Sequence, residues 1–184
     1  MKPLQGVRIV SVEQFGAAPY GTMLLADLGA EVIKIENAVI GGDPARKTGP
    51  YFLGENDSEY YQAFNINKKS VAIDLRSAEG KAALGELVAT ADALVNNLRG
   101  DLPAKMGLDY KTVSSINPKL VCVHVTAYGR DNERASWPGY DYLMQAESGL
   151  MHLTGEPDGP PSQLAWRARP YPRPNADRWR RSSC

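Results

Sequence analysis

Apolar positions along this chain switch repeatedly between two periods. Val7-Arg8-Ile9-Val10-Ser11-Val12 is a β-branched run that predicts a strand, and residues 19–29 then carry Met23, Leu24, Leu25 and Leu28 at helical spacing. Gly29 stands where a helix-terminating glycine belongs, and Glu31-Val32-Ile33-Lys34-Ile35-Glu36 follows as a second strand. So short a connection builds a parallel βαβ unit. Further on, residues 70–75 predict a strand, 78–89 a helix, 91–95 a strand and 109–116 a helix ended by Asn117-Pro118. Lys119-Leu120-Val121-Cys122-Val123-His124-Val125 is apolar enough for the middle of a sheet. Residues 140–153 read as one amphipathic helix with Leu143, Met144, Leu150 and Met151 on its apolar side. Residues 37–56, which include Gly41-Gly42-Asp43-Pro44 and Gly49-Pro50, follow neither period and predict a long loop.

Strands alternating with helices through short connections predict an α/β fold, a doubly wound, mostly parallel Rossmann-like sheet flanked by helices. Ligands of such sheets lie at the carboxyl ends of the strands. Here those ends are Glu13-Gln14-Phe15-Gly16, Glu36-Asn37, Leu75-Arg76, Asn96-Asn97 and Ala127-Tyr128.

Composition narrows the chemistry. With 21 Lys plus Arg against 21 Asp plus Glu, no global field draws the chain to nucleic acid or an acidic membrane surface. No apolar run is long enough for a signal peptide or a membrane span, which makes a cytoplasmic protein the expectation. Two cysteines, Cys122 in an apolar run and Cys184 at the end, give neither a disulfide framework nor metal-ligand spacing, and His124 and His152 belong to no metal or triad pattern. No metal and no permanently bound cofactor are expected.

Each strand-end motif has a plain structural explanation beside a functional one. Gly16-Ala17-Ala18-Pro19 lacks the glycine-rich dinucleotide fingerprint, yet a free helix start after it can receive an anion. Lys68-Lys69 reads first as a pair of solvated loop cations, and Arg76 stands at the exit of the same strand; a polyphosphate ligand would give all three a use. Asn96-Asn97, with Arg99 and Lys105 behind, is either an asparagine-dependent turn or a polar clamp for a ligand. Tyr140-Asp141-Tyr142 fits the start of a helix, where an acidic residue meets the dipole.

In order along residues 4–164, these stretches resemble the class III CoA-transferases of the CaiB/BaiF type, the family of formyl-CoA, carnitine and dicarboxylate CoA-transferases. The matching runs are Gly16-Ala17-Ala18-Pro19 with residues 24–36, Gly42-Asp43-Pro44-Ala45-Arg46, residues 64–70, Asp74-Leu75-Arg76 with Glu79-Gly80-Lys81, Asn97 with Met106-Gly107, Gly139-Tyr140-Asp141 and residues 154–161. The resemblance implies transfer of coenzyme A from an acyl-CoA to a small free carboxylic acid, expected to be a dicarboxylic one, by way of an aspartyl intermediate. It assigns Ile73, Asp74, Leu75, Arg76, Asn97, Leu98, Lys105 and Met106 to CoA contact. Gly16, Asn37, Tyr60, Tyr140 and Asp141 fall to the acyl site. Asn37 and Gly16 replace an arginine and a glutamine of formyl-CoA transferase, which disfavours oxalate-type chemistry.

The resemblance stops before its nucleophile. Ala165 stands at the glycine that precedes the family's catalytic aspartate, and Pro170 stands at that aspartate. From residue 165 to 184 there is no Val, Ile, Leu, Met or Phe, while Arg167, Arg169, Arg173, Arg178, Arg180 and Arg181 interleave with prolines. Such a segment cannot bury enough apolar surface to order itself, so residues 1–164 are expected as a domain and 165–184 as a disordered tail unrelated to the family. A change of reading frame after Leu164 would explain the break. The fold is then incomplete, the chain is expected to be inactive, and the family's interlocked homodimer is one that it cannot complete. The alternatives are a non-catalytic CoA-binding module or assembly partner, a nicotinamide-dependent dehydrogenase disfavoured by the missing fingerprint, and weak polyanion binding by the tail.

Overall fold

A computed structural model describes residues 1–154 and 158–164; the expectations for Ala165, Pro170 and the arginine-rich segment fall outside these residues. The contacts divide the chain between Met144 and Gln145.

The first unit is a five-stranded, wholly parallel sheet in the order β5-β2-β1-β6-β7. Its strands are β1 (Arg8–Val12), β2 (Glu31–Asn37), β5 (Lys69–Ile73), β6 (Ala93–Asn96) and β7 (Val121–His124). A two-stranded antiparallel ribbon, β3 (Phe52–Gly54) and β4 (Asp57–Ser58), is separate from it. The helices of the unit are α1 (Ala17–Asp27), α2 (Glu59–Asn65), α3 (Ala78–Ala89), α4 (Leu102–Met106) and α5 (Tyr110–Val113).

Side-chain alternation gives the central strands an apolar layer on each face. Val10, Val12 and Leu94 pack with Leu84 and Val88 of α3 and with Leu108, Val113 and Leu120. Ile9, Val32 and Val95 pack with Ala18 and Ala26 of α1. The apolar spacing points to Met23, Leu24, Leu25 and Leu28 as the inner side of α1, but the helix buries Ala18, Pro19, Thr22 and Ala26 and leaves Leu24 and Leu28 exposed. Small residues bring the helix axis close to the sheet, close enough for Thr22 Oγ1 to reach Glu13 Oε1 at 2.7 Å.

Gly29 ends α1 with φ +107°, a left-handed terminus as expected. Other expectations are revised. The strand placed in the middle of the sheet, β7, is its outermost strand: Val121 is 59% exposed and Val123 41%, so alternate valines lie uncovered. The long loop after β2 is organised by two 3-10 turns, Ala38–Ile40 and Pro44–Lys47, followed by the β3-β4 ribbon. The single helix over 140–153 is two, α6 (Asp141–Glu147) and α7 (Leu150–Leu153), interrupted at Gly149 with φ +76°. In the second unit Gln145 clamps Leu164, donating to its carbonyl at 2.9 Å and accepting from its N–H at 2.8 Å.

Candidate active site at the carboxyl edge of the sheet

The chain leaves β1 toward β2 and β5, then returns to the opposite side of β1 as β6, so the topological switch lies between β1 and β6. Asn97 closes the two strand ends there. Its Oδ1 accepts from the Gln14 N–H at 2.9 Å and its Nδ2 donates to the Gln14 carbonyl at 2.7 Å, so a side chain continues the ladder. Phe15 follows in the left-handed region, φ +59°, and its N–H donates to Asp43 Oδ1 at 3.2 Å. Gly16 then starts α1 without a side-chain cap. A Cβ on Gly16 would lie 3.2 Å from Tyr60 Oη and 3.6 Å from Phe64, so this turn lies against an aromatic wall. In that wall Tyr60 meets Phe64 edge-on at 5.2 Å and Phe64 meets Tyr20 at 6.4 Å.

A buried polar network holds this turn. Lys34 on β2 is fully buried, and its Nζ donates to Asp43 Oδ2 at 2.6 Å and to Asn65 Oδ1 at 2.9 Å. Lys68 donates to Glu13 Oε1 at 2.8 Å and to the Pro19 carbonyl at 2.8 Å; burial lowers its pKa, with Glu13 opposing that shift. Only Lys69 of the lysine pair fits the solvated reading, being exposed and paired with Glu31 at 2.6 Å. Beside these, Glu36 accepts from Arg46 through both oxygens at 2.7 Å, from Tyr61 Oη at 2.6 Å, from Ser70 Oγ at 2.6 Å and from the Asp43 N–H at 2.7 Å. Burial alone would raise the pKa of Glu36, but the bonds from Arg46, Ser70 and Tyr61 bring it down to about 2. Burial and the bond to Glu36 hold the Tyr61 phenol well above its ordinary value.

Asn96 has a different task from Asn97. Its fully buried side chain lies 2.9 Å from His124 Nδ1, and burial lowers the His124 pKa. Burial also raises the pKa of the half-buried Cys122 thiol on the same strand. Among the described residues no cluster of three or more His, Cys, Asp or Glu is placed to hold a metal, and no helix is long and apolar enough to cross a membrane.

The profile of CoA-transferase family III matches residues 4–168. The chain belongs to this family. It is 43% identical over 164 residues to a succinate–glutarate CoA-transferase of Agrobacterium fabrum, covering 86% of this chain and 41% of that protein. It is 41% identical over 161 residues to the succinyl-CoA:glutarate CoA-transferase of Mus musculus, covering 88% of this chain and 36% of the other. Among solved structures, a CaiB/BaiF family protein from Brucella suis superposes with a TM-score of 0.80 at 36% identity, over 89% of this chain and 44% of that one. The chain thus spans about two-fifths of the length of the curated relatives it matches.

In this family III chain, the residues that the resemblance assigns to a site are distributed unevenly. Gly16 and Tyr60 are brought into contact. Asn37 ends β2, and its Oδ1 caps the next turn by accepting from the Val39 N–H at 3.0 Å. Ile73 and Leu75 are core side chains. Asp74 shapes the turn after β5: its Oδ1 accepts from the Arg76 N–H, and Gly80 packs so tightly that a Cβ would lie 1.9 Å from the Asp74 carbonyl oxygen. Arg76 is exposed, and its guanidinium has no protein partner among the described residues. Leu98 and Met106 pack partly buried against the core, while Lys105 is 67% exposed and donates to Asp101 at 2.7 Å. Tyr140 and Asp141 begin α6 beside the carboxyl end of β7, because a Cβ on Gly139 would meet Ala127 Cβ at 2.5 Å. Tyr140 stacks on Tyr142 at 5.7 Å.

Sequence reasoning missed Glu13, Lys34, Asp43 and Asn65 as the frame of the turn. One available signal was a lysine, Lys34, set between Ile33 and Ile35 in a strand of the predicted core.

Proposed function

We propose that this chain is the CoA-binding part of a CoA-transferase that moves coenzyme A between an acyl-CoA and a free dicarboxylic acid. The observation that carries the reading is the turn after β1: in a family III chain, Gly16 opens an uncapped helix start at the topological switch, faced by the Tyr60 hydroxyl. Gly16 keeps a side chain out of the narrow space before Tyr60 and Phe64, where an acyl group could lie, and the N-terminal dipole of α1 favours the carboxylate of a dicarboxylic donor or acceptor. The named relatives make succinyl-CoA and glutarate the first pair to test.

The reaction proceeds by covalent exchange. A carboxylate oxygen attacks the thioester carbon and expels CoA thiolate, forming a mixed anhydride. The thiolate then attacks the enzyme's acyl carbon, releasing the donor acid and leaving an enzyme-bound CoA thioester, which the acceptor acid resolves. The resemblance puts the attacking aspartate at Pro170, which has no nucleophilic side chain. Our reading is therefore that this chain binds CoA, in the cytoplasm and with no resident cofactor, but does not turn it over. A second reading, a non-catalytic partner for an intact subunit, is favoured by the uncovered valines of β7.

Calorimetric titration with CoA, and CoA exchange between succinyl-CoA and a panel of acids including glutarate on the same preparation, test both parts. Binding without exchange is the expected result. Exchange by the 184-residue chain would overturn the assignment of inactivity, and absence of binding would overturn the assignment of CoA.

A further inference from the structure

Asp101 sits between two cations just beyond the carboxyl end of β6. Its Oδ2 accepts from Lys105 Nζ at 2.7 Å and from an Arg99 terminal nitrogen at 3.3 Å. Its Oδ1 lies 3.2 Å from Arg99 Nε but is shielded from water and makes no hydrogen bond. The acid is the inner member of the group, its side chain 16% exposed against 43% for Arg99 and 67% for Lys105.

The loop that carries it is fixed. Gly100 is buried so closely against the next loop that a Cβ would stand 2.2 Å from the Gly129 carbonyl oxygen, and Asn97 anchors the other side to Gln14. Stability does not explain the acid. Pairs with cations this exposed contribute little, one oxygen is left unsatisfied, and the side chain does not cap α4. Two cations against one acid leave the cluster a single net positive charge, held at the edge where Asn97 and Leu98 stand.

We infer that Asp101 is an internal counter-ion: it occupies Arg99 and Lys105 until the phosphates of coenzyme A displace it, and so sets the affinity and salt dependence of CoA binding. The inference rests on the CoA-binding reading above. A carboxylate with one unsatisfied oxygen is readily exchanged for a phosphate group, which offers both cations more acceptor oxygens and more charge. The same carboxylate weakens capture of lone small anions, which gain too little from one net charge to compete.

The test is calorimetric titration of CoA, dephospho-CoA and pantetheine into the full chain and into D101N, K105Q and D101N/K105Q, at low and physiological salt. D101N should bind CoA about three- to tenfold more tightly at low salt. That gain should shrink at the higher salt, because the extra attraction acts between exposed charges. Pantetheine, which has no phosphate, should bind both proteins alike. K105Q should weaken CoA binding, and adding D101N to it should restore less than D101N gains alone. Should D101N unfold, D101S serves in its place. Affinity of D101N equal to or below wild type overturns the inference while leaving the CoA reading intact. Binding seen only in D101N supports it, and binding by neither protein overturns both.

Discussion

Removing the Lys34 ammonium isolates what the buried network contributes. In Lys34→Met the new side chain has nearly the length of the old one, so the stem keeps its packing. What disappears is the donor at 2.6 Å from Asp43 Oδ2 and 2.9 Å from Asn65 Oδ1, in a pair with no side-chain exposure. Asp43 keeps two backbone donors on Oδ1, Phe15 at 3.2 Å and Ala45 at 2.8 Å, but is left as a buried anion without its cation. Breaking one side of a buried pair costs about 3–5 kcal/mol. A domain of this kind has about 5–15 kcal/mol in all, so the loss is a large share of the total. Adding Asp43→Asn removes the stranded charge while its amide oxygen can still accept from Phe15 and Ala45. The double variant should therefore be more stable than Lys34→Met alone, by about 2 kcal/mol. Urea unfolding followed by far-ultraviolet circular dichroism measures this directly; with a slope of about 2 kcal/mol/M, Lys34→Met should move the midpoint down by about 2 M. Two results would refute the reasoning: Lys34→Met within about 1 kcal/mol of wild type, or a double variant no more stable than the single. The second would mean that packing, not charge, governs the site.

Three further outcomes are expected. Glu36 titrates at about 2 in the folded chain against 4.5 unperturbed, so its contribution of about 3 kcal/mol is complete above pH 4.5 and is lost as the pH falls toward 2. Unfolding free energy measured across that window should fall for wild type and stay flatter for Glu36→Gln, the two curves converging near pH 2; parallel curves would remove Glu36 as the cause. Gly80→Ala puts a Cβ 1.9 Å from the Asp74 carbonyl oxygen, which must drive α3 off the strand end at a cost of about 3 kcal/mol and lower Tm by roughly 6–12 °C. Gly21→Ala in α1, with open space around it, should instead raise Tm slightly, and a Gly80→Ala protein that melts like wild type would contradict the close approach.

Much of the fold was legible because parallel α/β units write their periods locally. The strand-helix-strand unit ended by Gly29 needs only neighbours in sequence to be read, and the strand ends it implies do form the carboxyl edge. Where reading failed, contacts made only in the folded chain decided the outcome. Hydrophobic spacing selects the large side chains of α1, but the sheet selects the small ones, and Glu13, just beyond the strand before the helix, accepts from Thr22 at 2.7 Å. Lys68 looks solvated beside Lys69 until Glu13 and Asn65, 55 and 3 residues away, enclose it. β7 is apolar up to His124, yet composition alone does not say whether a strand is central or outermost.

The same distinction separates the scaffold of the site from its contact groups. At the carboxyl edge the compact polar side chains are already committed to holding loops: Asn97 to Gln14, Asp43 to Phe15 and Lys34, Glu36 to Arg46 and Tyr61. Ile73 and Leu75 are committed to the core. Exposed at that edge are Arg76 and, paired with Asp101, Arg99 and Lys105, long cations at two strand ends, together with backbone groups around Gly16. A ligand suited to that remainder carries anionic groups for these cations and a small group for the turn at Gly16. On the reading proposed above, coenzyme A thioesters meet that description, and Asn97, for which the sequence leaves a turn and a ligand clamp equally open, makes the turn over which such a ligand would lie.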